Sequence, residues 1–347
     1  MKSGRPGPGG DELALAFARN GPLAPGAAPP LFLRAARGCE LTLTDGTVLL
    51  DCATGGLLPL GHNPSPALET RGLSDLSVAG EGVEFPVRVE LMRKLAEVVP
   101  GGTNRRVRLC DSGREALAQA LRLARLHGPG SGVGWLAASA DPEPEFPSGT
   151  GCLVVHPFDG RAGYAARLCR DRGWLLVSDE TGIAPGMSGR MLASELLDAR
   201  PDIIALGRGL AVGLPFGAVV AGSSEWRWPD SGNGGSLAGS AVAQGWLTRL
   251  EAGWLDVIRE LAARLRSGLE ELAGRHGGAV AGAGLVLTLR LGQPGAAGFV
   301  ARCRQAGLLV RQCGESAVAV EPSSAITPGQ LDRLFSAVDG AWQGKGR

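Results

Sequence analysis

Hydrophobic and polar residues alternate over residues 38–51, on either side of Asp45-Gly46. Such alternation places successive side chains on opposite faces of a strand, and Asp-Gly favours a tight turn between antiparallel strands. The pattern therefore predicts a β-hairpin. Residues 1–37, rich in Gly, Pro and Ala, show neither strand nor helix periodicity, so we expect a loose N-terminal segment. Apolar residues at helical spacing predict a helix over residues 89–98.

Short apolar runs alternate with helical patterns in the middle of the chain. A periodic helix is predicted over residues 114–126, and the runs are bounded by Gly, Pro or charged residues. Runs of this kind suit strands that are buried on both faces, as in a mainly parallel sheet flanked by helices. The predicted strands are residues 107–110, 152–156, 174–178, 203–206 and 218–221. Residues 128–149 lack periodicity and are predicted to be a surface loop.

The C-terminal part has a different order of elements. Leucines at helical spacing predict one long helix over residues 240–275, or two helices joined near Gly253. Strands are expected at residues 285–291, 308–311 and 317–321, with helices over 297–305 and from Pro328. We therefore expect a loose segment (1–37), a large α/β domain (38–275) and a small α+β C-terminal domain (277–342).

Composition narrows the choice of partners. The 35 basic residues nearly balance the 34 acidic ones, and like charges do not form runs, which argues against nucleic acid or a membrane surface. Neither a signal-peptide pattern nor an apolar stretch of membrane-spanning length is present, so a cytoplasmic location is expected. The scattered cysteines are interpreted as small core residues rather than metal ligands. A small-molecule ligand is the expected partner.

Three segments carry candidate chemistry. Ser112-Gly113 opens a helix, where free backbone N–H groups and the helix dipole can bind a phosphate, although an ordinary helix cap has the same pattern. Asp179-Glu180 ends an apolar strand, either as a ligand-binding carboxylate or as a solvated charge pair. Arg208 lies in a glycine-rich loop after a third strand. A dinucleotide-binding turn is disfavoured there because no helix pattern follows.

Taken in this order, the segments resemble the class III aminotransferases, a pyridoxal-phosphate family that includes ornithine and 4-aminobutyrate aminotransferases and glutamate-1-semialdehyde aminomutase. The resemblance extends over residues 38–338. It implies a fold-type-I α/β structure with a mainly parallel central sheet flanked by helices, a small α+β C-terminal domain, and a homodimer. The matching segments are the hairpin and residues 60–62, 112–113, 178–180, 186–191, 207–218, 306–311 and 326–328.

The resemblance also implies roles for single residues. Ser112 and Gly113 would hold the phosphate of pyridoxal phosphate, with Arg114 beside them. Asp179 would pair with the pyridinium nitrogen, which makes the ring an electron sink. Ser236 would match a threonine that reaches the phosphate from the partner subunit.

The chain departs from the family pattern at the cofactor. The lysine that forms the Schiff base aligns with Arg208, and a guanidinium stays charged below about pH 12 and is a poor nucleophile. The lysines of the chain, Lys2, Lys94 and Lys345, lie elsewhere in the sequence. The family's aromatic-His-Gly segment, which stacks on the cofactor ring, has no counterpart over residues 127–151. Arg114 replaces a small polar residue of the family.

These departures lead to three hypotheses. The leading one is an aminotransferase-like protein that has lost lysine-dependent transamination and is repurposed as an enzyme or binder for a small anionic or amino-acid-like molecule. The alternatives are a non-catalytic structural or regulatory partner, and an enzyme that holds pyridoxal phosphate non-covalently. Arg208 would either form a buried ion pair with Asp179, whose loss costs about 3 to 5 kcal/mol, or bind a ligand carboxylate or phosphate.

Overall fold

The computed structural model describes residues 30–64, 83–99, 104–136, 145–197, 199–228 and 234–344, together with positions 13, 15, 19, 230 and 232. Its strands are β1 (Leu33–Arg37), β2 (Glu40–Leu43), β3 (Val48–Asp51), β4 (Arg106–Cys110), β5 (Gly132–Trp135), β6 (Thr150–Val155), β7 (Leu175–Glu180), β8 (Ile203–Leu206), β9 (Gly217–Ala221), β10 (Ala279–Ala283), β11 (Val286–Arg290), β12 (Leu308–Leu309), β13 (Arg311–Gln312) and β14 (Ala317–Val320). Its helices are α1 (Pro86–Val98), α2 (Gly113–His127), α3 (Ala162–Arg172), α4 (Leu237–Arg249), α5 (Leu255–His276), α6 (Ala296–Gln305) and α7 (Pro328–Trp342).

The central sheet has the strand order β4-β9-β8-β7-β6-β5. Strands β5 to β8 run parallel to one another, and β9 is antiparallel to both of its neighbours. Every residue of β6, β8 and β9 is buried, as expected for strands covered on both faces. The predicted mainly parallel sheet is confirmed.

Helices cover the two faces of this sheet. On one face, α2 packs against alternate strand residues such as Val154, Val177 and Ala205. On the other face, α3 packs against Leu153 and Leu176, and α1 and α4 pack against β4, β8 and β9. Because side chains alternate along a strand, residues 154, 177 and 179 share the face covered by α2.

The N-terminal hairpin is part of a second sheet that also contains a C-terminal strand. The order is β1-β2-β3-β12, and β12 pairs in parallel with β3. Leu50 N donates to Gly307 O at 2.8 Å, and Cys52 N donates to Leu309 O at 2.9 Å. The third sheet, β10-β11-β14-β13, packs with α5 and α6. The α+β character of the C-terminal part is therefore confirmed, while the domain boundaries stay a prediction.

Several sequence predictions were wrong. Residues 33–37, expected in a loose segment, form β1, and residues 132–135, expected in a surface loop, form β5. Strand β10 was not predicted at all. Each of these strands lies at the edge of its sheet and pairs with one neighbour, so none needs the apolar pattern that marks a buried strand. The predicted strand 308–311 is two short strands in different sheets.

The long helical pattern is broken at the predicted position. Residues Leu250–Trp254 form a π-helical turn between α4 and α5, and Gly253 has φ of 106°. A left-handed conformation is accessible to glycine without a steric cost, which explains the position of the kink.

Candidate active site

The first component of the site is the start of α2. Ser112 is the N-cap residue, and its Oγ accepts a hydrogen bond from Glu115 N at 3.1 Å. The predicted helix cap is confirmed. Gly113 is partly buried and Arg114 is exposed to solvent. The first-turn amides of an α-helix lack acceptors within the helix, and the dipole makes this end favourable for an anion.

The second component is the end of β7, where two carboxylates have different environments. Glu180 is 1% exposed, and its side chain accepts hydrogen bonds from Ala193 N at 2.7 Å and Ser194 N at 3.0 Å. Burial raises the pKa of Glu180, against the effect of these bonds. Asp179 points to the α2 face and accepts from Thr181 N at 3.0 Å and from Thr181 Oγ1 at 2.7 Å. Glu180 is thus a structural group, and Asp179 is the carboxylate of the site.

Close backbone contacts bring the predicted segments together. A Cβ atom on Gly113 would lie 3.1 Å from Gly207 Cα and 3.1 Å from Thr181 Cβ. A Cβ atom on Gly207 would lie only 2.1 Å from Thr181 O, which explains why this position is a glycine. The start of α2, the residue after β7 and the residue before Arg208 therefore meet at the carboxyl-terminal edge of the parallel strands. Ligands of open α/β sheets bind at this edge.

Arg208 begins a short 3₁₀ turn, Arg208–Ala211, and its side chain is exposed to solvent. Its guanidinium makes no hydrogen bond or ion pair with any residue that the structure describes. The expectation of a buried ion pair between Arg208 and Asp179 is wrong. Thr181 donates two hydrogen bonds to Asp179 Oδ1, whereas the guanidinium lies at the exposed start of the turn.

The site contains no lysine among the residues that can be described. Lys94 lies on α1, where its Nζ contacts Glu251 Oε2 at 2.6 Å. Lys2 and Lys345 lie outside the described residues. Residues 137–144, part of the region where the stacking segment was sought, also lie outside them.

Ser236 is the N-cap residue of α4, and its Oγ accepts from Gly239 N at 3.0 Å. The preceding residue, Gly235, donates from its N to Asp111 Oδ1 at 2.7 Å. This bond fixes the start of α4 beside the residue that precedes Ser112 in the same chain. Ser236 is exposed, and its role towards a partner subunit stays a prediction.

Sequence reasoning missed one residue beside Asp179, His156, which directly follows β6. Val155 pairs with Ser178, so the parallel register places His156 next to Asp179 on the adjacent strand. Desolvation lowers the pKa of His156, and the carboxylates of Asp179 and Asp159 oppose this effect. The signal was available in the sequence: like Asp179, His156 is a polar residue at the end of an apolar run.

All cysteines but Cys313 are core residues rather than a second reactive centre in the part of the chain that the structure describes. Cys313 is exposed and the other cysteines are buried, which confirms the core interpretation for all but one of them. Burial raises the pKa of Cys110 to about 12, so this thiol stays protonated at neutral pH. Within the described residues, no cluster of His, Cys, Asp and Glu could hold a metal ion. In the same part of the chain, every helix is too short or too polar to cross a membrane.

Comparison with known sequences agrees with this geometry. Residues 147–341 match the family model of the class-III aminotransferases. The acetylornithine aminotransferase of Mycobacterium tuberculosis is 28% identical over 365 residues, which covers 89% of this chain and 91% of that protein. Acetylornithine aminotransferase 1 of Bordetella pertussis is 34% identical over 177 residues, covering 48% of this chain and 44% of that protein.

Comparison with solved structures supports the fold. The acetylornithine aminotransferase of Elizabethkingia anophelis superposes with a TM-score of 0.80 at 19% identity, covering 96% of this chain and 99% of that chain. The ornithine δ-aminotransferase of Plasmodium falciparum gives a TM-score of 0.79 at 18% identity, covering 97% and 98%. These structures share the fold-type-I arrangement expected from the sequence. On the family match and the shared fold, this chain belongs to the class-III aminotransferases.

Proposed function

We propose that this chain has lost lysine-dependent transamination and binds a small anionic or amino-acid-like molecule in the aminotransferase site. The observation that carries the proposal is that the Arg208 side chain is exposed and has no ion-pair partner among the described residues. The preceding residue, Gly207, lies beside Gly113 at the start of α2. A free guanidinium can donate two parallel hydrogen bonds to a carboxylate or a phosphate.

The residues of the site fit pyridoxal phosphate in part. Ser112, Gly113 and Arg114 would hold the phosphate, Asp179 would face the ring nitrogen, and Ser236 of a second subunit would complete the phosphate site. When bound, the cofactor supplies an electron sink for carbanion chemistry. A covalent link needs a lysine amine, and Lys94 is engaged with Glu251 on the other face of the sheet. Pyridoxal phosphate would therefore be held without a covalent bond.

Different residues of the chain would bind the anionic and the cationic group of the ligand. Arg208 and Arg114 attract and orient the anionic group, while the amides at the start of α2 provide uncharged donors. Asp179 accepts a hydrogen bond from a protonated nitrogen of the ligand, and Thr181 fixes the orientation of its carboxylate. The two arginines are positively charged and Asp179 is negatively charged, so a ligand with both an anionic and a cationic group fits this site. Amino-acid-like molecules have this character.

Two rival functions require different features of the site. An ordinary acetylornithine aminotransferase, as the names of the relatives suggest, would need a lysine where Arg208 lies. A structural or regulatory partner without a ligand would be favoured if side chains filled the site. The exposed and unpaired Arg208 argues against such filling. We also propose a homodimer and a cytoplasmic location, as in the family resemblance.

Titration of the purified protein with pyridoxal phosphate, followed by absorbance and borohydride reduction, tests the proposal. Wild-type protein is expected to bind the compound reversibly, without a reduced lysine adduct. R208K is expected to give an adduct at position 208, located by mass spectrometry. R208A should bind pyridoxal phosphate about 10- to 100-fold more weakly, because it loses a charge-assisted pair of hydrogen bonds.

R170A is the matched control, because Arg170 is an exposed arginine at the far end of α3. It should bind like the wild type. An adduct on a native lysine of the wild type would overturn the loss of lysine chemistry. Absence of binding in both the wild type and R208K would support the structural or regulatory alternative.

A further inference from the structure

His156 and Asp179 lie at corresponding positions on neighbouring strands. The β6–β7 pairing joins Val154 to Val177 and Val155 to Ser178. Val154 and Val177 both pack towards α2. Asp179, two positions after Val177 in β7, faces the same side, and alternation continued one residue past the end of β6 places His156 there as well. The charge of Asp179 acts on the His156 ring, as expected for neighbouring side chains. His156 therefore lies beside Asp179 at the carboxyl-terminal ends of β6 and β7.

Local contacts fix the hydrogen-bonding state of the His156 ring. Phe158 N donates a hydrogen bond to His156 Nδ1 at 3.3 Å, so in the neutral ring the proton is on Nε2. The Phe158 ring packs against the imidazole with a centroid separation of 5.7 Å and an interplanar angle of 64°. The Nε2–H group has no acceptor among the described residues, and the side chain is exposed to solvent. It is therefore available to a ligand.

The surroundings of His156 favour the neutral imidazole, although two carboxylates lie nearby. Asp179 on β7 and Asp159 in its own connecting segment favour the protonated ring, and desolvation favours the neutral one and lowers the pKa. Asp159 also faces Arg161, with Arg161 Nε at 3.9 Å from Asp159 Oδ1, which reduces the effect of that carboxylate. The neutral imidazole keeps the bond from Phe158 N and leaves Nε2–H as a donor.

We propose that His156 is a ligand-binding residue whose Nε2–H donates a hydrogen bond to an oxygen on the ring of a ligand whose ring nitrogen faces Asp179. This inference rests on the proposed function and adds a residue that contacts the ring of the ligand. Neighbouring strands are about 4.8 Å apart, so the donor and the acceptor are spaced for different substituents of one small ring. Pyridoxal phosphate, a phosphorylated pyridine with a ring hydroxyl group, has this arrangement.

The test compares two probes, pyridoxal phosphate and its 3-deoxy analogue, which lacks the ring hydroxyl. Binding to the wild type, H156F and H156Q is measured by calorimetry, and the absorbance of bound pyridoxal phosphate against pH reports ionisation of the hydroxyl group. H156F should weaken pyridoxal phosphate binding by about 5- to 20-fold, because it removes one hydrogen bond to the ring hydroxyl group. It should leave binding of the 3-deoxy analogue unchanged and shift the pH at which the bound hydroxyl ionises.

H156Q tests rescue, because its amide is again a donor, and it should recover part of the lost affinity. H127Q is the control, since His127 lies at the opposite end of α2 and contacts Arg227 and Trp226. Equal loss of both probes in H156F, or no loss of either, would overturn the role of His156 while the proposed function stands. Failure of the wild type to bind either probe would overturn both.

Discussion

At the scale of single residues, the site depends on which groups are already satisfied. Glu180 is buried and uses its carboxylate to bind backbone amides of the segment after β7. Its neighbour Asp179 is held by one residue, Thr181, and faces the α2 side. Arg208 has no partner among the described residues, although it lies in the same site. Asp179 and Arg208, unlike Glu180, are therefore available to bind a ligand.

The first prediction concerns the pair formed by Asp179 and His156. In D179N the pKa of His156 should fall further below its ordinary value, because the carboxylate that favours the protonated imidazole has been removed. The amide oxygen of the substituted side chain can still accept from Thr181, so the loop should stay folded. NMR titration of the His156 ring protons measures the change, with His127 as an internal reference. An unchanged or raised pKa would show that the two side chains do not interact.

At the scale of elements, caps and kinks position the site. Ser112 begins α2 beside Gly207, and Ser236 begins α4 after a bond that joins Gly235 to Asp111. Thr327 and Gln330 form a capping box at the start of α7. The π-helical turn at Leu250–Trp254 redirects the chain from α4, which packs on the central sheet, to α5, which reaches the C-terminal elements. Local sequence signals therefore set the ends and directions of the helices.

The second prediction tests the kink with two exposed glycines. A Cβ atom would meet no atom within 4 Å at either Gly253 or Gly274, but Gly253 has φ of 106° and Gly274 lies within α5. G253A should lower the free energy of unfolding by about 1 kcal/mol, because alanine is strained in the left-handed region. G274A should raise it by about 0.5 to 1 kcal/mol through helix propensity. Urea denaturation measures both, and equal effects of the two variants would contradict the conformational explanation.

At the scale of the whole molecule, the N-terminal hairpin is hydrogen-bonded to the C-terminal part of the chain. Strand β3 from the hairpin pairs with β12, and Glu321 N donates to Cys52 O at 2.6 Å. One hydrophobic cluster contains Leu50, residues of the central sheet and C-terminal residues such as Leu334. The hairpin and the C-terminal elements should therefore unfold together.

The third prediction follows from this shared core. Leu334 is fully buried in α7, and L334A should cost about 2 to 5 kcal/mol. Hydrogen exchange of the Leu50 and Cys52 amides, which bond to Gly307 and Leu309, should accelerate together with exchange in the C-terminal elements. L126A is the control, because Leu126 is 53% exposed. If L334A left exchange of Leu50 and Cys52 unchanged, the hairpin would be an independent unit.

The sequence by itself determined the features that depend on neighbouring residues. The alternation around Asp45-Gly46 specified the hairpin, and Ser112 followed by Glu115 specified the start of α2. The apolar runs specified the strands of the buried sheet, because strands covered on both faces must be apolar throughout. The ordered segments also identified the family and predicted that Asp179 and Arg208 lie near one ligand site.

Only the tertiary structure decided which of these groups act together. Edge strands β1, β5 and β10 form because a partner strand is present, and their own sequences carry little pattern. Strand register brought His156 beside Asp179, and side-chain alternation separated Asp179 from Glu180. Asp179 is hydrogen-bonded to Thr181, and Arg208 is exposed without an ion pair to Asp179. Such outcomes depend on distances between residues far apart in sequence, which local patterns do not contain.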